Sequence, residues 1–276
     1  MRIGKPKDTA VEGHLYSITS EDGARDASIE VWLGSKVDGP FAPLIDSIAS
    51  RTRITVPLQS DPKKVAVAKR VGFRLGPTQE YIEISEMERE KIALYVAALI
   101  VRTPQYLQKL KAFHKGDLPA ERDANEAALK NMIWLLDLYK GYLCEADFLL
   151  TEACGSHRFL VSDGVVGVSE PWSRGGIAPF DVGIPLTPTL RLDAFPCRDG
   201  RSFGGYIPVS SAGNKLVSLM NRQALALARR FVVSRDYPPL DFIQKYWGKP
   251  APAAFGHRLE NGVMQLSVDW QKLEGY

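Results

Sequence analysis

A few polar residues in this sequence stand where chemistry could use them. Arg102 closes the run IALYVAALIVR (Ile92 to Arg102), in which a stretch without formal charge ends in a guanidinium, followed at once by Thr103 and Pro104. A guanidinium so placed can hold a phosphate through its planar fork of donors, and Asp163 and Glu30 supply carboxylates that can act beside it as acid, base or metal ligand. Asp163, Glu30 and Arg102 are therefore the candidate catalytic set, for hydrolysis of a nucleic acid or a nucleotide. The candidate ligand-binding residues are Ser162, which precedes Asp163, His157, which opens the segment leading to it, and Asn221.

Each of these residues also has an architectural reading. A cation near a helix C-terminus gains up to about 1 kcal/mol from the helix dipole, and that alone can place Arg102. If the side chain is buried it needs a carboxylate, because an unpaired buried charge costs several kcal/mol; Asp163 and Glu30 are the expected partners. Asp163 and Gly164 lie between RFLVS and VVGV, a pattern that reads as a hairpin turn in which the aspartate only stabilises the bend. Asn221 falls on the same helical face as Val217, Ala224 and Ala228, where an amide is buried and must be hydrogen-bonded. His14, His114, His157 and His257 are scattered without metal-ligand spacing, so no metal is expected.

Familiar chemistry is not advertised elsewhere. The chain has no Walker loop, GxGxxG, HExxH or GxSxG motif, so no cofactor is expected. Its 35 basic and 32 acidic residues are spread along the whole length, and this leaves no basic block that would mark a nucleic-acid arm or a membrane patch. DFIQKYWGK (Asp241 to Lys249) mixes aromatic and basic residues that could stack on bases, although such a helix end can equally pack its rings on the domain. A nucleic-acid or protein partner both stay open, and no membrane partner is expected. The N-terminal MRIGKPKDTAVEGH lacks the apolar stretch of a secretory signal, and the three cysteines, Cys144, Cys154 and Cys197, show no CxxC pairing. Reduced thiols and a cytoplasmic location are the expectation.

The elements that must position these residues are partly legible. ASIEVWLGSKV reads as a short helix that can continue past Pro40. Ser85 and Glu88 form a capping box, the acids Glu86, Glu88 and Glu90 suit the first turns, and the apolar run behind them predicts a helix that Pro104 ends or kinks. Tyr106, Leu107, Leu110 and Phe113 continue the helical spacing to His114. A second helix is expected from near Asp117 to near Gly155, with Leu129, Met132, Ile133, Leu136, Tyr139, Leu143, Ala146 and Leu150 as its apolar stripe. Short apolar runs then predict strands at Arg158 to Ser162, Val165 to Val168, Val182 to Leu186 and Thr189 to Asp193. Asn214 to Arg230 reads as a third helix leading into a strand at Val232 to Ser234. Asn261 and Gly262 predict a type I′ hairpin in which Leu259 faces Met264 and His257 faces Leu266.

Several of these pieces, in this order, carry a family resemblance. Arg102-x-Pro104 at the end of an apolar helix, a long helix leading to a strand that ends in Ser162-Asp163, the Ile-Pro-Leu-x-Pro of Ile184 to Pro188, and a helix bearing Asn221 that runs into Arg230-x-Val232-x-Ser234 resemble the bacterial domain-of-unknown-function family 4238. The similarity spans roughly Lys7 to Asp236. The family's usual His-x-x-Pro opening has no counterpart before Leu15 and Tyr16, and Val165 stands where the family tends to have a proline. The resemblance implies that the aspartate of Ser162-Asp163, rather than the turn, is the recurring feature; it implies no known reaction.

The expected fold is α+β, with long antiparallel helices packed with a small, mostly antiparallel sheet in the C-terminal half. Residues 1–236 are expected to form a single α+β domain and 237–276 a C-terminal extension with the hairpin. Two functions follow: a non-catalytic protein that binds another protein or a nucleic acid, with the polar cluster as architecture, or the hydrolase set out above.

Overall fold

The computed structural model describes residues 18–19, 25–57, 78–103, 106, 121–164, 172–173, 176–177, 182–195, 205–228, 231–234, 240–249, 255–260 and 263–268. The chain divides into two compact units: Met1–Arg51, Ile84–Glu145 and Asp163–Val165 form one, and Thr52–Glu83, Ala146–Ser162 and Val166–Tyr276 the other.

In the first unit, two short paired strands, β1 (Ile18–Thr19) and β2 (Arg25–Asp26), precede a helical rod. The rod comprises α1 (Ser28–Leu33), a π-helical turn over Gly34–Asp38, and α2 (Gly39–Ser50), and it runs past Pro40 as the sequence predicts. The π turn has an identifiable cause. Pro40 has no N–H for the carbonyl one turn back, and the ladder widens so that the Gly39 N–H reaches Gly34 O instead. A Cβ at Gly39 would stand 3.1 Å from that oxygen, so glycine suits the approach.

Helix α3 (Glu86–Val101) begins at the predicted capping box: the Ser85 hydroxyl accepts from the Glu88 N–H at 3.3 Å, and the Glu88 carboxylate accepts from the Ser85 N–H at 2.8 Å. Its buried residues, among them Ile92, Ala93, Val96, Ala98 and Ile100, lie on nearly every side, as in a helix enclosed by neighbours. Helix α4 (Glu121–Cys144) packs on it through Leu129, Met132, Leu136, Tyr139 and Leu143, while Ile133 is exposed.

The second unit is built on a six-stranded sheet of β3 (Ile54–Pro57), β4 (Thr78–Glu83), β5 (Asp147–Ala153), β9 (Val182–Pro185), β10 (Leu190–Phe195) and β11 (Tyr206–Ala212). The strand order is β3-β4-β11-β5-β10-β9, and every pair is antiparallel except β11 with β5. The shorter strands β6 (Val161–Ser162), β7 (Trp172–Ser173), β8 (Gly176–Ile177) and β12 (Val232–Val233) form two small pairs, β6 with β12 and β7 with β8.

The α+β class is as expected, with two corrections. The sheet is not small and not confined to the C-terminal half, because β3 and β4 come from residues 54–83, where an exposed edge strand leaves little hydrophobic pattern to read. The second long helix ends at Cys144, well before Gly155. Ala146 and Leu150 continue its spacing by coincidence, but Phe148 and Leu150 alternate into the sheet core, and ladders on both sides of β5 fix residues 147–153 as a strand.

Because directly paired residues share a face, the register sorts the sheet into two sides. Ile82, Phe148, Leu150, Leu192, Ile207 and Val209 lie on one, all buried. Tyr81, Thr151, Arg191, Asp193 and Ser210 lie on the other.

Helix α5 (Asn214–Leu227) packs Leu216, Val217, Leu219 and Met220 against Phe159 and Ala212. Helix α6 (Leu240–Tyr246) joins a second cluster with Leu160 and Leu225, and here Phe242, Tyr246 and Trp247 pack inward, with the Arg222 guanidinium 4.2 Å from the Tyr246 ring centre. The aromatic stretch thus packs on the protein. Strands β13 (Phe255–Glu260) and β14 (Val263–Val268) pair in the predicted register, Leu259 with Met264 and His257 with Leu266. The expected strand at Val165 to Val168, the helical piece from Leu107 to His114, Pro104, the turn residues Asn261 and Gly262, and Arg230 lie outside the described residues. Among those described, no helix is long and apolar enough to cross a membrane.

Candidate functional site

Arg102 caps the C-terminus of α3 and turns back along it, donating from Nε to Ala98 O at 3.2 Å. Its Nη1 and Nη2 then grip both oxygens of Asp38, at 2.8 and 2.9 Å. Parallel two-bond pairing of this kind is the strongest geometry an arginine offers a carboxylate. Asp38 ends the π turn, whose extra residue re-aims the side chains around it.

The opposite end of the same helix pair carries a second clamp. Arg51, at the C-cap of α2, donates from Nη1 to Glu88 Oε2 at 3.1 Å and from Nη2 to Glu88 Oε1. Between the two clamps the rings of Phe41 and Tyr95 stack with centres 3.4 Å apart and planes 11° apart. Asp38 near the start of α2 meets Arg102 at the end of α3, and Arg51 at the end of α2 meets Glu88 in the first turn of α3. The two helices therefore run antiparallel with a charged clamp at each end. The Arg51 guanidinium, helped by the Ser85 donors, holds the Glu88 carboxyl at about 2, well below its ordinary value. Burial pushes the Tyr95 hydroxyl up, and nearby Arg102 opposes that shift.

Glu30, in α1, and Asp163, just after β6, belong to the same unit as Arg102. The ligand-binding candidates belong to the other unit. Asn221 is buried and spends both ends of its amide on the backbone, accepting from the Leu160 N–H at 2.9 Å and donating to Arg158 O at 2.8 Å. His157 is exposed; its Nδ1 shares a hydrogen bond with the Ser218 hydroxyl at 2.8 Å, and its N–H donates to Asn214 Oδ1 at 3.1 Å. Asn214 in turn donates to the Ser156 hydroxyl at 3.2 Å, and its side chain fills the space where a Cβ on Gly155 would be, 2.0 Å from the amide oxygen. Ser162 pairs with Val232 in the β6–β12 ladder.

The polar side of the sheet holds residues that sequence reasoning did not single out. Arg191 and Asp193 lie two apart on β10, only 4% and 8% exposed, with Arg191 Nε donating to Asp193 Oδ1 at 2.8 Å. Thr151, fully buried, is paired with Arg191 across β5, and Gly183 is paired with Asp193 across β9. Burial pushes the Asp193 carboxyl above its ordinary value, and Arg191 and the nearby Thr151 hydroxyl oppose that shift. The signal was available in LRLDAF, where Leu190, Leu192 and Ala194 alternate with an arginine and an aspartate that must share the opposite face. Arg53, in contrast, spans Glu80, at 2.7 Å, and Glu152 at the β3 end of the sheet; the Glu152 hydrogen bond is the main reason its guanidinium is held more firmly protonated than usual.

The family of proteins of unknown function DUF4238 matches residues 4–237, and the chain belongs to that family. No curated protein and no solved structure matches it.

Proposed function

We propose that this protein works by binding a macromolecular partner in the cytoplasm rather than by catalysis, and that Arg102 is architecture. The observation that carries this reading is the pair of matched clamps, Arg102 on Asp38 and Arg51 on Glu88, at the two ends of one antiparallel helix pair. An arginine whose Nη fork is closed on a carboxylate and whose Nε is closed on its own helix has given up the donors that would grip a phosphate. Its counterpart at the far end does the same structural work with no chemistry to explain. Within this reading Asp163 and Glu30 steady the same helical unit, and His157, Ser162 and Asn221 order the segment from Gly155 to Ser162. The free thiol of Cys154, exposed at the surface, fits a reducing compartment.

The test is phosphate release from a panel of nucleotides and oligonucleotides by the wild type, Asp163→Asn and Arg102→Lys. The expected result is no turnover in any of the three. Turnover by the wild type that disappears in both variants would replace this reading with a hydrolase in which Asp163 and Glu30 act on a phosphate held by Arg102.

A further inference from the structure

The buried ion pair on the sheet has no architectural explanation of the kind that accounts for Arg102. A buried pair is commonly no more stabilising than well-packed apolar residues of the same volume, so stability alone does not place Arg191 and Asp193 in the middle of a strand. Nor is the arginine's donor capacity used there. Among the described residues only Nε has a partner, Asp193, at 2.8 Å, and the terminal nitrogens that make the fork have none. On the neighbouring strand the fully buried Thr151 hydroxyl faces Asp193 and closes no hydrogen bond of good geometry. Guanidinium donors left open beside a buried hydroxyl are what a ligand with complementary acceptors would meet.

The backbone makes room for the arginine. A Cβ on Gly183 would fall 1.8 Å from Arg191 Nη2 and 2.7 Å from its Cζ, so the guanidinium lies over β9 in space that any other residue would fill. Asp193 holds the inner edge of the guanidinium through Nε, which fixes its plane and leaves the outer nitrogens available. Arg191, Thr151 and Ser210 follow one another across β10, β5 and β11 on the same side of the sheet.

We propose that this polar face is a binding site for the oxyanion of a small ligand, a phosphate or carboxylate received by the terminal nitrogens of Arg191 with the Thr151 hydroxyl as a further donor. Asp193 is a positioning residue that orients the guanidinium. Burial pushes its carboxyl above the usual range, with Arg191 opposing the shift, so its charge is held by the arginine and not by water. The site lies in the second unit and stands or falls independently of the reading of Arg102.

The test is calorimetric titration of the full-length protein with inorganic phosphate and, separately, with acetate, at an ionic strength held constant with chloride. Three proteins are compared: wild type, Thr151→Val, and the double variant Arg191→Met with Asp193→Leu, which removes both charges together. One of the two anions is expected to bind the wild type at a single site, about tenfold more weakly to Thr151→Val, and not at all to the double variant. Binding of phosphate names a phosphorylated ligand and binding of acetate a carboxylic acid. Binding of neither anion, or binding that persists unchanged in either variant, overturns the proposal. Thr151→Val exchanges a hydroxyl for a methyl of similar size, so the question is decided even if the double variant does not fold.

Discussion

Replacing Gly183 by alanine tests the packing of the sheet's polar face with one methyl group. The added Cβ would stand 1.8 Å from Arg191 Nη2 and 2.4 Å from Asp193 Oδ1, both far inside van der Waals contact. The guanidinium is held by Asp193 and packed over β9, so it must either leave Asp193 or push the strands apart. Overpacking of a filled interior costs about 1–3 kcal/mol, and losing a hydrogen bond between charged partners adds about 1.5–3 kcal/mol. A total of about 2.5–6 kcal/mol corresponds to a fall in melting temperature of roughly 5–24 °C for a chain of this size. Gly141 is the control: it lies in α4 and a Cβ there meets nothing within 4 Å, so Gly141→Ala is expected to stabilise by about 0.5–1 kcal/mol. The assay is a calorimetric melt of both variants beside the wild type. A second arm places Gly183→Ala in the background of Arg191→Met with Asp193→Leu, where most of the cost should vanish. If Gly183→Ala melts within about 1 °C of the wild type, the close approach of Arg191 to β9 is wrong and the site built on it goes too.

Three further outcomes follow from the geometry. The Glu88 carboxyl titrates at about 2 in the folded chain against an ordinary 4.5, so the Arg51 clamp contributes fully above about pH 4.5 and is lost as pH falls toward 2. After solvent screening the contribution is about 1–2 kcal/mol, and urea midpoints for the wild type and Glu88→Gln should converge as pH is lowered through that window. Arg51→Met and Arg102→Met act at opposite ends of one helix pair on different carboxylates, so their losses, about 1–3 kcal/mol each, should add to within about 0.5 kcal/mol in the double variant, as read from denaturant midpoints. Asn221→Leu strands the Leu160 N–H and the Arg158 carbonyl and should cost about 2–4 kcal/mol on the same scale.

What the sequence made legible was governed by local rules. The Ser85 and Glu88 capping box, the helix behind it, the α4 stripe through Leu143 apart from the exposed Ile133, and the Leu259–Met264 hairpin register all depend on residues a few positions apart, and all stand in the structure. The failures came where distant partners decide. Spacing at Ala146 and Leu150 fits a helix and a strand equally well, and only hydrogen bonds to β10 and β11 choose between them. The Asp38 carboxylate that meets Arg102 was not singled out, because a π turn induced by Pro40 brings it there, and nothing in the local pattern of Asp38 announces it. Arg191 and Asp193 were passed over for a different reason. Alternation in LRLDAF placed them on one face, but only the register with Gly183 and Thr151 gives that face a shape.

The central claim, that Arg102 is a clamp and not a phosphate grip, is tested most directly by a double-mutant cycle of Arg102→Met and Asp38→Asn, melted with and without a panel of nucleotides. The account predicts that each single variant melts lower than the wild type, that the double variant loses less than the sum by at least about 1 kcal/mol of coupling, and that no nucleotide stabilises the wild type in a way that Arg102→Met abolishes. It is contradicted if Arg102→Met is as stable as the wild type while a nucleotide raises the melting temperature of the wild type alone.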